Sequence, residues 1–425
     1  MTIITLFLVF LILLFLGMPV AFAMGIAGIA VLFLIGDVPM TLVPQRLFTS
    51  VNSFPLMAVP YFILAGYIMN ASGITNRLVA FARALIGHFA GGLAQVNVFT
   101  SMLFAGISGS ASADTAAVGS TLIPAMKKDK YSSAFSASVT AASATIGSII
   151  PPSIVMVIYG AMTDISVGAL FIAGLVPGIL IGVAQMSVVH YYAKKRNYKS
   201  EQKVPLSEVF KRFKEAIWAL LAPVIIIGGI LSGVFTATEA GVVAAVYAIF
   251  VGLFIYKEIK IKDLKKVFLE STVMTASPII ILGMASIFGW IITHQQFSRE
   301  LTNLLLNISE NPHVILFTII LMLVLVGLVV ESLAAMVMFI PVLAPLVTTF
   351  GWDPIHFAIV VIIALLIGTV TPPVGIQLYI SASIAKISVS KMHEIWAFIF
   401  VMVLVLLLIA YVPALVTFLP NLFLN

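Results

Sequence analysis

The sequence has no cysteine among its 425 residues. This absence excludes a disulfide framework, a cysteine zinc site and a thiol nucleophile. Charged residues make up only 9% of the chain, whereas a soluble domain carries about 25%. Hydrophobic residues make up 62%. Because so few polar residues cannot cover the surface of a soluble protein, the composition predicts an all-α polytopic membrane protein that is surrounded by lipid.

Apolar stretches long enough to cross a hydrocarbon core of about 30 Å recur along the chain. We expect spanning segments at 2–35 (one long or broken segment), 57–72, 134–163, 167–193, 217–235, 238–256, 272–294, 356–385 and 395–419. The first segment lacks a basic region and a cleavage site, so we expect it to be retained and not removed as a signal peptide. Two further stretches, 90–126 and 313–349, are interrupted near their middles by small or polar residues. We expect each of them to form a re-entrant hairpin.

The placement of lysine and arginine tests these two hairpins. If both hairpins return to the side from which they entered, all but two of the 22 basic residues fall in loops on one side. The two exceptions are Arg46 and Arg299. Because basic loops remain in the cytoplasm, we predict that this side is cytoplasmic. The net charge of +6 then reflects topology, and we expect no nucleic-acid partner.

Two parts of the sequence resemble each other at a constant offset of 221 residues. The identical pairs are Gly106 and Gly327, Leu122 and Leu343, Pro124 and Pro345, Gly147 and Gly368, Pro151 and Pro372, and Pro152 and Pro373. In the predicted topology the first hairpin enters from the cytoplasm and the second from outside, so the repeats are inverted. Inverted repeats with interrupted helices are typical of secondary transporters, whose site lies near the bilayer midplane between the repeats.

A Pro-Pro pair interrupts a predicted helix in each repeat. Proline removes an amide donor and bends a helix, and unsatisfied backbone groups at membrane depth are costly. Such backbone persists where it lines a cavity or binds an ion. Freed carbonyls at Gly147, Ile150 and Gly368, joined by nearby hydroxyls, suit a hard monovalent cation such as Na⁺. The N-termini of the half-helices suit an anion.

The two hairpin tips carry the acidic candidates. Asp114 follows a serine-rich tip in the first hairpin, and Glu331 lies at the second tip. Inserting a carboxylate at membrane depth costs at least ~2.5 kcal/mol, so both are candidates for a functional role. Asp164 and Glu239 lie near the outer ends of spans, where we expect a solvated or capping role.

Other functions are favoured less by the same residues. The run from Gly106 to Gly109 fits the nucleophile context of an intramembrane serine protease, but that enzyme needs a histidine base at membrane depth. All six histidines lie at or near the ends of apolar segments, and His294 alone is expected near a cavity. A metal enzyme would need clustered ligands. A passive channel would not explain two different polar tips on inverted repeats.

Four motifs together resemble a known family: GISGSASADTAAVG, GSIIPPSIV, TATEAG and GTVTPPVGI. They resemble the large membrane subunit of tripartite ATP-independent periplasmic (TRAP) transporters of the bacterial inner membrane. The resemblance covers essentially the whole chain and implies an elevator-type fold, in which hairpins and broken helices move against a static scaffold. It also implies sodium as the coupling ion and two partners, a small four-helix membrane subunit and a periplasmic substrate-binding protein.

The resemblance also divides the chain. We expect scaffold helices in 1–87, the first inverted repeat in 88–193, and scaffold helices with connecting segments in 194–312. The second inverted repeat is expected in 313–394 and a final helix in 395–425. The two repeats would together form the transport domain, each with one hairpin and one broken helix.

In the family, a sodium site lies between each hairpin tip and the helix break that faces it. Carried over by position, the first site would use Ser108, Ser110, Gly147, Ile150 and Pro152, and the second Gly327, Gly368, Thr371 and Val374. The substrate region would include Ser110, Asp114, Ser153, His294 and Glu331.

The resemblance implies an organic acid as substrate, such as a C4-dicarboxylate, sialic acid or a keto-sugar acid. The acidic pair Asp114 and Glu331 favours a hydroxylated sugar acid. No Lys or Arg lies in the proposed site, so half-helix dipoles, hydroxyls and nearby Na⁺ would bind the carboxylate of the substrate. Two alternatives remain: a proton-coupled transporter in which one of these acids titrates, and a stand-alone anion transporter of related fold.

Overall fold

The computed structural model describes residues 2–424, which form twenty α-helices and no β-strand. The first ten helices are α1 (Thr2–Phe15), α2 (Val20–Ile35), α3 (Leu42–Val51), α4 (Ala58–Ala71), α5 (Ile74–Ile86), α6 (Gly92–Ser108), α7 (Ala111–Lys128), α8 (Ser133–Ala144), α9 (Ile154–Thr163) and α10 (Val167–Arg196). The other ten are α11 (Leu206–Leu231), α12 (Ala237–Phe250), α13 (Ile261–His294), α14 (Phe297–Ile308), α15 (Pro312–Gly327), α16 (Ser332–Phe350), α17 (Pro354–Gly368), α18 (Ile376–Ala385), α19 (Ile395–Tyr411) and α20 (Ala414–Leu424).

Several of these helices are long and apolar enough to cross a membrane. Judged by length and composition, five described helical segments qualify alone: Val167–Arg196, Leu206–Leu231, Ala237–Ile255, Ile261–His294 and Ser332–Phe350. Three bent pairs raise the number to eight if each pair is counted as one span. The longest, α13, has 34 residues. This pattern agrees with the polytopic membrane protein that the composition predicts.

Helices in the two halves of the chain correspond at the 221-residue offset. α6, α7, α8 and α9 begin within one residue of the positions that the offset gives for α15, α16, α17 and α18. α5 and α14 begin within two residues of correspondence. The correspondence therefore also includes helices outside the segments 88–193 and 313–394.

The interrupted segments fold as pairs of short helices. Two residues, Gly109 and Ser110, connect α6 to α7 at the first hairpin tip, and residues 328–331 connect α15 to α16 at the second. The Pro-Pro pairs lie in the breaks between α8 and α9 and between α17 and α18. Segment 2–35 also folds as two helices, with α2 packed against both α1 and α13. A Cβ on Gly28 of α2 would lie 2.8 Å from Cγ2 of Ile287, so glycine permits this close helix contact.

The second hairpin meets the second break through two glycines. Gly327 is the last residue of α15, and Gly368 is the last residue of α17. A Cβ on Gly327 would lie 2.9 Å from Cα of Gly368, and a Cβ on Gly368 would lie 2.7 Å from the carbonyl oxygen of Gly327. Backbone atoms cannot rotate away from such a contact. Any larger residue at either position must therefore separate the two helix ends.

We predict that Gly368→Ala destabilises the protein because its methyl group would overlap backbone atoms of Gly327. Overpacking of this kind costs about 1–3 kcal/mol. The matched control is Gly228→Ala in α11, where an added Cβ meets no atom within 4 Å and alanine favours the helix. Thermal unfolding of the purified protein in detergent measures both changes. Equal unfolding temperatures for the two variants would contradict the prediction.

Candidate functional site

A cavity of about 350 Å³ lies where the two hairpin tips meet α4 and α13. Its polar lining consists of Tyr67, Asn70, Ser108, Ser110, Ser112, Ser148, Ser277, Glu331, Ser332 and Gln377. Among the described residues, no Lys or Arg lines this cavity. The cavity therefore offers hydroxyl, amide and carboxylate groups but no cationic side chain. Both hairpin tips and residues beside both breaks contribute to it.

The cavity is displaced toward the basic side of the protein. Along α4 its lining runs from Ile63 to Asn70, near the end of the helix that precedes the basic helix α5. A second cavity, of about 110 Å³, lies at the other end of α4, where Met57 and Pro60 contribute to an apolar lining. α9 and α13 also contribute to both cavities. On each helix the residues of the larger cavity begin earlier in the chain, at Ile154 and Met274, than those of the smaller cavity, at Ile158 and Pro278. The larger cavity thus lies on the side that the charge pattern assigns to the cytoplasm.

Hydrogen bonds join the first hairpin tip to the first break. The amide of Ala111 donates to Oγ of Ser148 at 3.0 Å, and the amide of Ile154 donates to the carbonyl of Gly109 at 3.2 Å. Ser110 caps α7 by accepting from the amide of Ala113 at 3.4 Å. The helix ends at the tip and the break are therefore satisfied partly by each other and partly by local caps.

The residues predicted for the first sodium site lie at this junction. Ser108 and Ser110 line the cavity. A Cβ on Gly147 would lie 3.4 Å from the carbonyl oxygen of Ser110, and a Cβ on Gly109 would lie 2.7 Å from that of Pro152. Glycine thus keeps oxygen atoms accessible in a space that a side chain would fill. Ile150, in contrast, directs its side chain against Gly178 of α10.

The residues predicted for the second sodium site are also close to one another. Gly327 contacts Gly368, whose carbonyl accepts from the amide of Thr371 at 3.0 Å. Oγ1 of Thr371 donates to the carbonyl of Ile367 at 2.7 Å. Val374 is 42% exposed and lies at the outer edge of this group. No cluster of three or more His, Asp or Glu side chains that could bind a metal occurs in residues 2–424, so a cation here would depend on hydroxyl and carbonyl oxygens.

Glu331 lines the cavity and also caps α16. Its Oε2 accepts from the amide of Ala334 at 3.2 Å, and its Oε1 accepts from Oγ of Ser332 at 3.3 Å. By the 221-residue offset Glu331 corresponds to Ser110, which caps α7. The same structural position therefore carries a neutral hydroxyl in the first half and a carboxylate in the second.

Asp114 is fully buried and does not line the cavity. Its Oδ1 accepts from Oγ of Ser101 at 3.2 Å, and Ser101 also contacts Ser143 and thereby Asn97. Its Oδ2 has no hydrogen-bond partner among the described residues. α7 directs this carboxylate toward α6, α8 and the first break, where a Cβ on Gly147 would lie 3.4 Å from Oδ2 of Asp114. Asp114 therefore lies beside a residue of the predicted first sodium site and not in the wall of the cavity.

Two other residues of the predicted substrate region lie outside the cavity lining. Ser153 is buried and holds the first break, because its Oγ donates to the carbonyl of Ser148 at 2.7 Å and caps α9. His294 is exposed at the end of α13 and stacks on Trp290. It follows Ile281, the last cavity residue of α13, by thirteen residues, which is about 20 Å along a helix.

The solvated or capping role expected for two further acids is confirmed, because Glu239 caps a helix and Asp164 is exposed. Glu239 accepts from the amide and hydroxyl of Thr236 at 2.8 and 2.9 Å, which completes a capping box at the start of α12. Asp164 is exposed and ends α9 in the left-handed conformation, with φ of 57°.

Several cavity residues were not predicted from the sequence. Tyr67 and Asn70 lie in α4, and Ser277 lies in α13, both of which were assigned to the scaffold. Gln377 follows the second break and is the one amide side chain of α18. That isolated amide was the one local signal that could have identified it.

The fold matches solved membrane transporters. The YdaH transporter of Alcanivorax borkumensis superposes with a TM-score of 0.65 over 88% of this chain and 89% of its own, at 11% identity. MtrF of Neisseria gonorrhoeae, described among antimetabolite efflux pumps, gives 0.61 over 88% and 83%, at 15% identity. At these identities the likeness shows a shared fold and nothing more.

Proteins related by sequence share a higher identity with this chain than these two structures do. The sialic acid TRAP transporter large permease protein SiaM of Vibrio cholerae is 39% identical over 414 residues, which cover 97% of each chain. The 2,3-diketo-L-gulonate protein YiaN of Escherichia coli is 36% identical over 401 residues, and the C4-dicarboxylate protein DctM of Rhodobacter capsulatus is 34% identical over 421 residues. These matches cover 94% and 96% of each chain, respectively.

The profile of the family described as "Tripartite ATP-independent periplasmic transporter, DctM component" matches residues 7–415. The match includes both hairpins, both breaks and every residue that lines the cavity. The chain therefore belongs to the family of large membrane subunits of TRAP transporters.

Proposed function

We propose that this chain is the membrane subunit that carries a small organic acid into the cell by sodium-coupled symport. One observation carries this proposal: where two hairpin tips meet two helix breaks lies a cavity whose polar groups are hydroxyls, amides and one carboxylate, with no Lys or Arg among its described lining residues. Multi-pass transporter subunits of this family act on sialic acid, C4-dicarboxylates and diketogulonate. A sugar acid fits the cavity better than a dicarboxylate, because Glu331 accepts hydrogen bonds from hydroxyls and repels a second carboxylate.

Sodium would bind at the two junctions of tip and break. Ser108, Ser110 and the carbonyls beside Gly147 and Pro152 offer hard oxygen ligands at the first junction. Gly327, Gly368, Thr371 and Val374 offer the corresponding backbone and hydroxyl oxygens at the second. Bound Na⁺ would supply the positive charge that the cavity lacks. Substrate affinity would therefore depend on sodium, which is a coupling free energy between the sites.

Substrate would cross the membrane by an elevator movement of the two hairpins and two broken helices. The correspondence of helices at the 221-residue offset and the asymmetric placement of basic loops support two inverted repeats. The position of the larger cavity on the basic side corresponds to a state that faces the cytoplasm. The smaller apolar cavity beside Met57 and Pro60 would then mark the closed periplasmic side.

Two partners complete the proposed system. A periplasmic substrate-binding protein would deliver the acid to the outward-facing state, and a small four-helix membrane subunit would brace the scaffold. The words "tripartite" in the family description and "large permease" in the name of the Vibrio cholerae relative support further components. The proposed location is the inner membrane of a bacterium.

Proton coupling is the alternative with a specific observation in its favour. The carboxylate of Asp114 is fully buried, and its Oδ2 has no partner among the described residues. A proton could occupy that oxygen in one state and leave in another. A stand-alone anion transporter would use the same cavity without either partner.

We predict that uptake of labelled acid into proteoliposomes needs both an inward sodium gradient and the binding protein. The vesicles would contain this chain with its small subunit, and sialic acid and succinate would be tested in parallel. Uptake that follows a pH gradient without sodium would favour proton coupling. Uptake without the binding protein would favour a stand-alone transporter.

We expect Ser110→Ala to weaken sodium-dependent uptake, because the variant loses one oxygen at the first junction. A lost hydrogen bond or ligand oxygen costs about 1 kcal/mol, so the sodium concentration for half-maximal uptake should rise several-fold. Ser120→Ala is the matched control, since Ser120 lies on α7 outside the cavity and bonds only the carbonyl of Ala117. Unchanged sodium dependence in Ser110→Ala would count against this site.

We expect Glu331→Gln to lower uptake of a hydroxylated acid by about tenfold to a hundredfold, because hydrogen bonds to charged groups contribute about 1.5–3 kcal/mol. Glutamine keeps an oxygen that can accept from Ala334, so the unfolding temperature should change little. Glu310→Gln, at an exposed loop residue, is the control. Wild-type uptake at saturating loaded binding protein would exclude a substrate contact at Glu331.

A further inference from the structure

Gln377 has a buried side-chain amide that the protein does not satisfy. The residue is 4% exposed and lines the larger cavity. Its Oε1 has no hydrogen-bond partner among residues 2–424. Buried polar side chains are almost always hydrogen-bonded, so an orphan amide beside a cavity indicates a partner that enters from outside the protein.

Other buried glutamines in the chain show what a structural amide looks like here. Nε2 of Gln95 donates to the carbonyl of Met186 at 3.0 Å, and Nε2 of Gln185 donates to the carbonyl of Ala142 at 3.0 Å. Their Oε1 atoms also lack partners, but neither residue lines the cavity. Each therefore ties two helices together through its amide nitrogen. Within residues 2–424, Nε2 of Gln377 makes no such bond between helices, so a role in tying helices together does not account for it.

The backbone holds Gln377 at a fixed place in the cavity wall. Its amide nitrogen donates to the carbonyl of Thr369 at 3.3 Å across the second break. The next residue, Leu378, is fully buried. The side chain of Gln377 thus extends from a fixed first turn of α18. It lines the same cavity as Ser110 and Glu331.

The chemistry of the neighbouring groups limits what this amide can bind. A side-chain amide both donates and accepts, whereas the carboxylate of Glu331 only accepts. A hydroxyl or an acylamino group can satisfy both groups, because it also donates and accepts. A bare dicarboxylate offers acceptors alone, so it would leave Oε1 of Gln377 without a partner and place a second negative charge near Glu331.

We propose that Gln377 hydrogen-bonds a hydroxyl or acylamino group of the transported acid and thereby selects hydroxylated acids over bare dicarboxylates. This inference rests on the proposed transport function. It assigns the selectivity to a residue of the second break and not only to the hairpin tips. Loss of the amide should weaken binding of a hydroxylated acid without changing the affinity for sodium.

The test measures binding to the transporter directly, so that the binding protein does not set the apparent affinity. This chain with its small subunit is purified in detergent, and its unfolding temperature is followed while sialic acid, 2,3-diketo-L-gulonate or succinate is added, in sodium or choline chloride. A ligand that binds the folded state raises this temperature, because it stabilises that state by RT ln(1 + [L]/Kd), so a titration yields Kd. The variants are Gln377→Leu and Gln377→Asn, with Gln185→Leu as the matched control.

In wild type we expect a hydroxylated acid to bind more tightly than succinate in sodium. Gln377→Leu should raise the Kd of that acid by about tenfold, and Gln377→Asn should raise it less. The sodium concentration for half-maximal stabilisation, measured without acid because the two affinities are coupled, should stay within twofold of wild type. Gln185→Leu should leave the Kd of the acid unchanged even if it lowers the starting unfolding temperature.

Several results would overturn the inference. Tighter binding of succinate than of either hydroxylated acid would exclude the proposed selectivity. An unchanged Kd in Gln377→Leu would exclude the contact and leave the transport proposal intact. If Gln377→Leu lowered the affinities for the acid and for sodium together, the amide would be assigned to the ion. If Gln185→Leu raised the Kd of the acid as much as Gln377→Leu does, the cause would be structural. If no acid stabilises wild type in sodium, the inference and the proposed function both fail.

Discussion

Backbone amides and carbonyls at membrane depth need partners inside the protein, and this need organises the centre of the molecule. Each helix that stops in the interior leaves several such groups free. At the first junction, Ser148 and Gly109 supply the acceptors that the facing helix ends lack. At the second, Thr371 bonds the chain one turn earlier. The ends of the interrupted helices therefore have to meet in the centre of the protein to be stable. The cavity is the space between these ends.

Local sequence marks were enough to predict where the helices stop. Pro-Pro pairs and tip glycines act on the backbone of their own segment, so the positions of both breaks and both tips followed from the sequence. The direction of a side chain depends on neighbouring helices instead. Asp114 turns toward α6 and α8, whereas Glu331 faces the cavity, although both follow a hairpin tip. The orphan amide of Gln377 is equally a product of packing, because its lack of a partner is a property of the assembled helices.

The two halves share a plan but differ in chemistry. The cap of α7 is the hydroxyl of Ser110, and the cap at the corresponding position of α16 is the carboxylate of Glu331. The two glycines related by the 221-residue offset, which lie near the ends of α6 and α15, differ as well: Gly106 packs against Pro223 of α11, whereas Gly327 packs against Gly368. The first half thus contributes only uncharged side chains to the cavity lining. The second half contributes Glu331, the one carboxylate among the described lining residues. A ligand that enters the cavity meets two unlike ends and has one preferred orientation.

The displacement of the larger cavity toward the basic loops bears on how the protein could be inhibited. Its lining reaches Asn70 at the end of α4, while the cavity at the opposite end of that helix is smaller and has an apolar lining. In the proposed elevator movement, a compound that fills this space but does not fit the smaller apolar cavity would hold the two interrupted segments in their present position. If the proposed orientation holds, such an inhibitor would act from inside the cell and would not compete with the proposed binding protein for its docking surface.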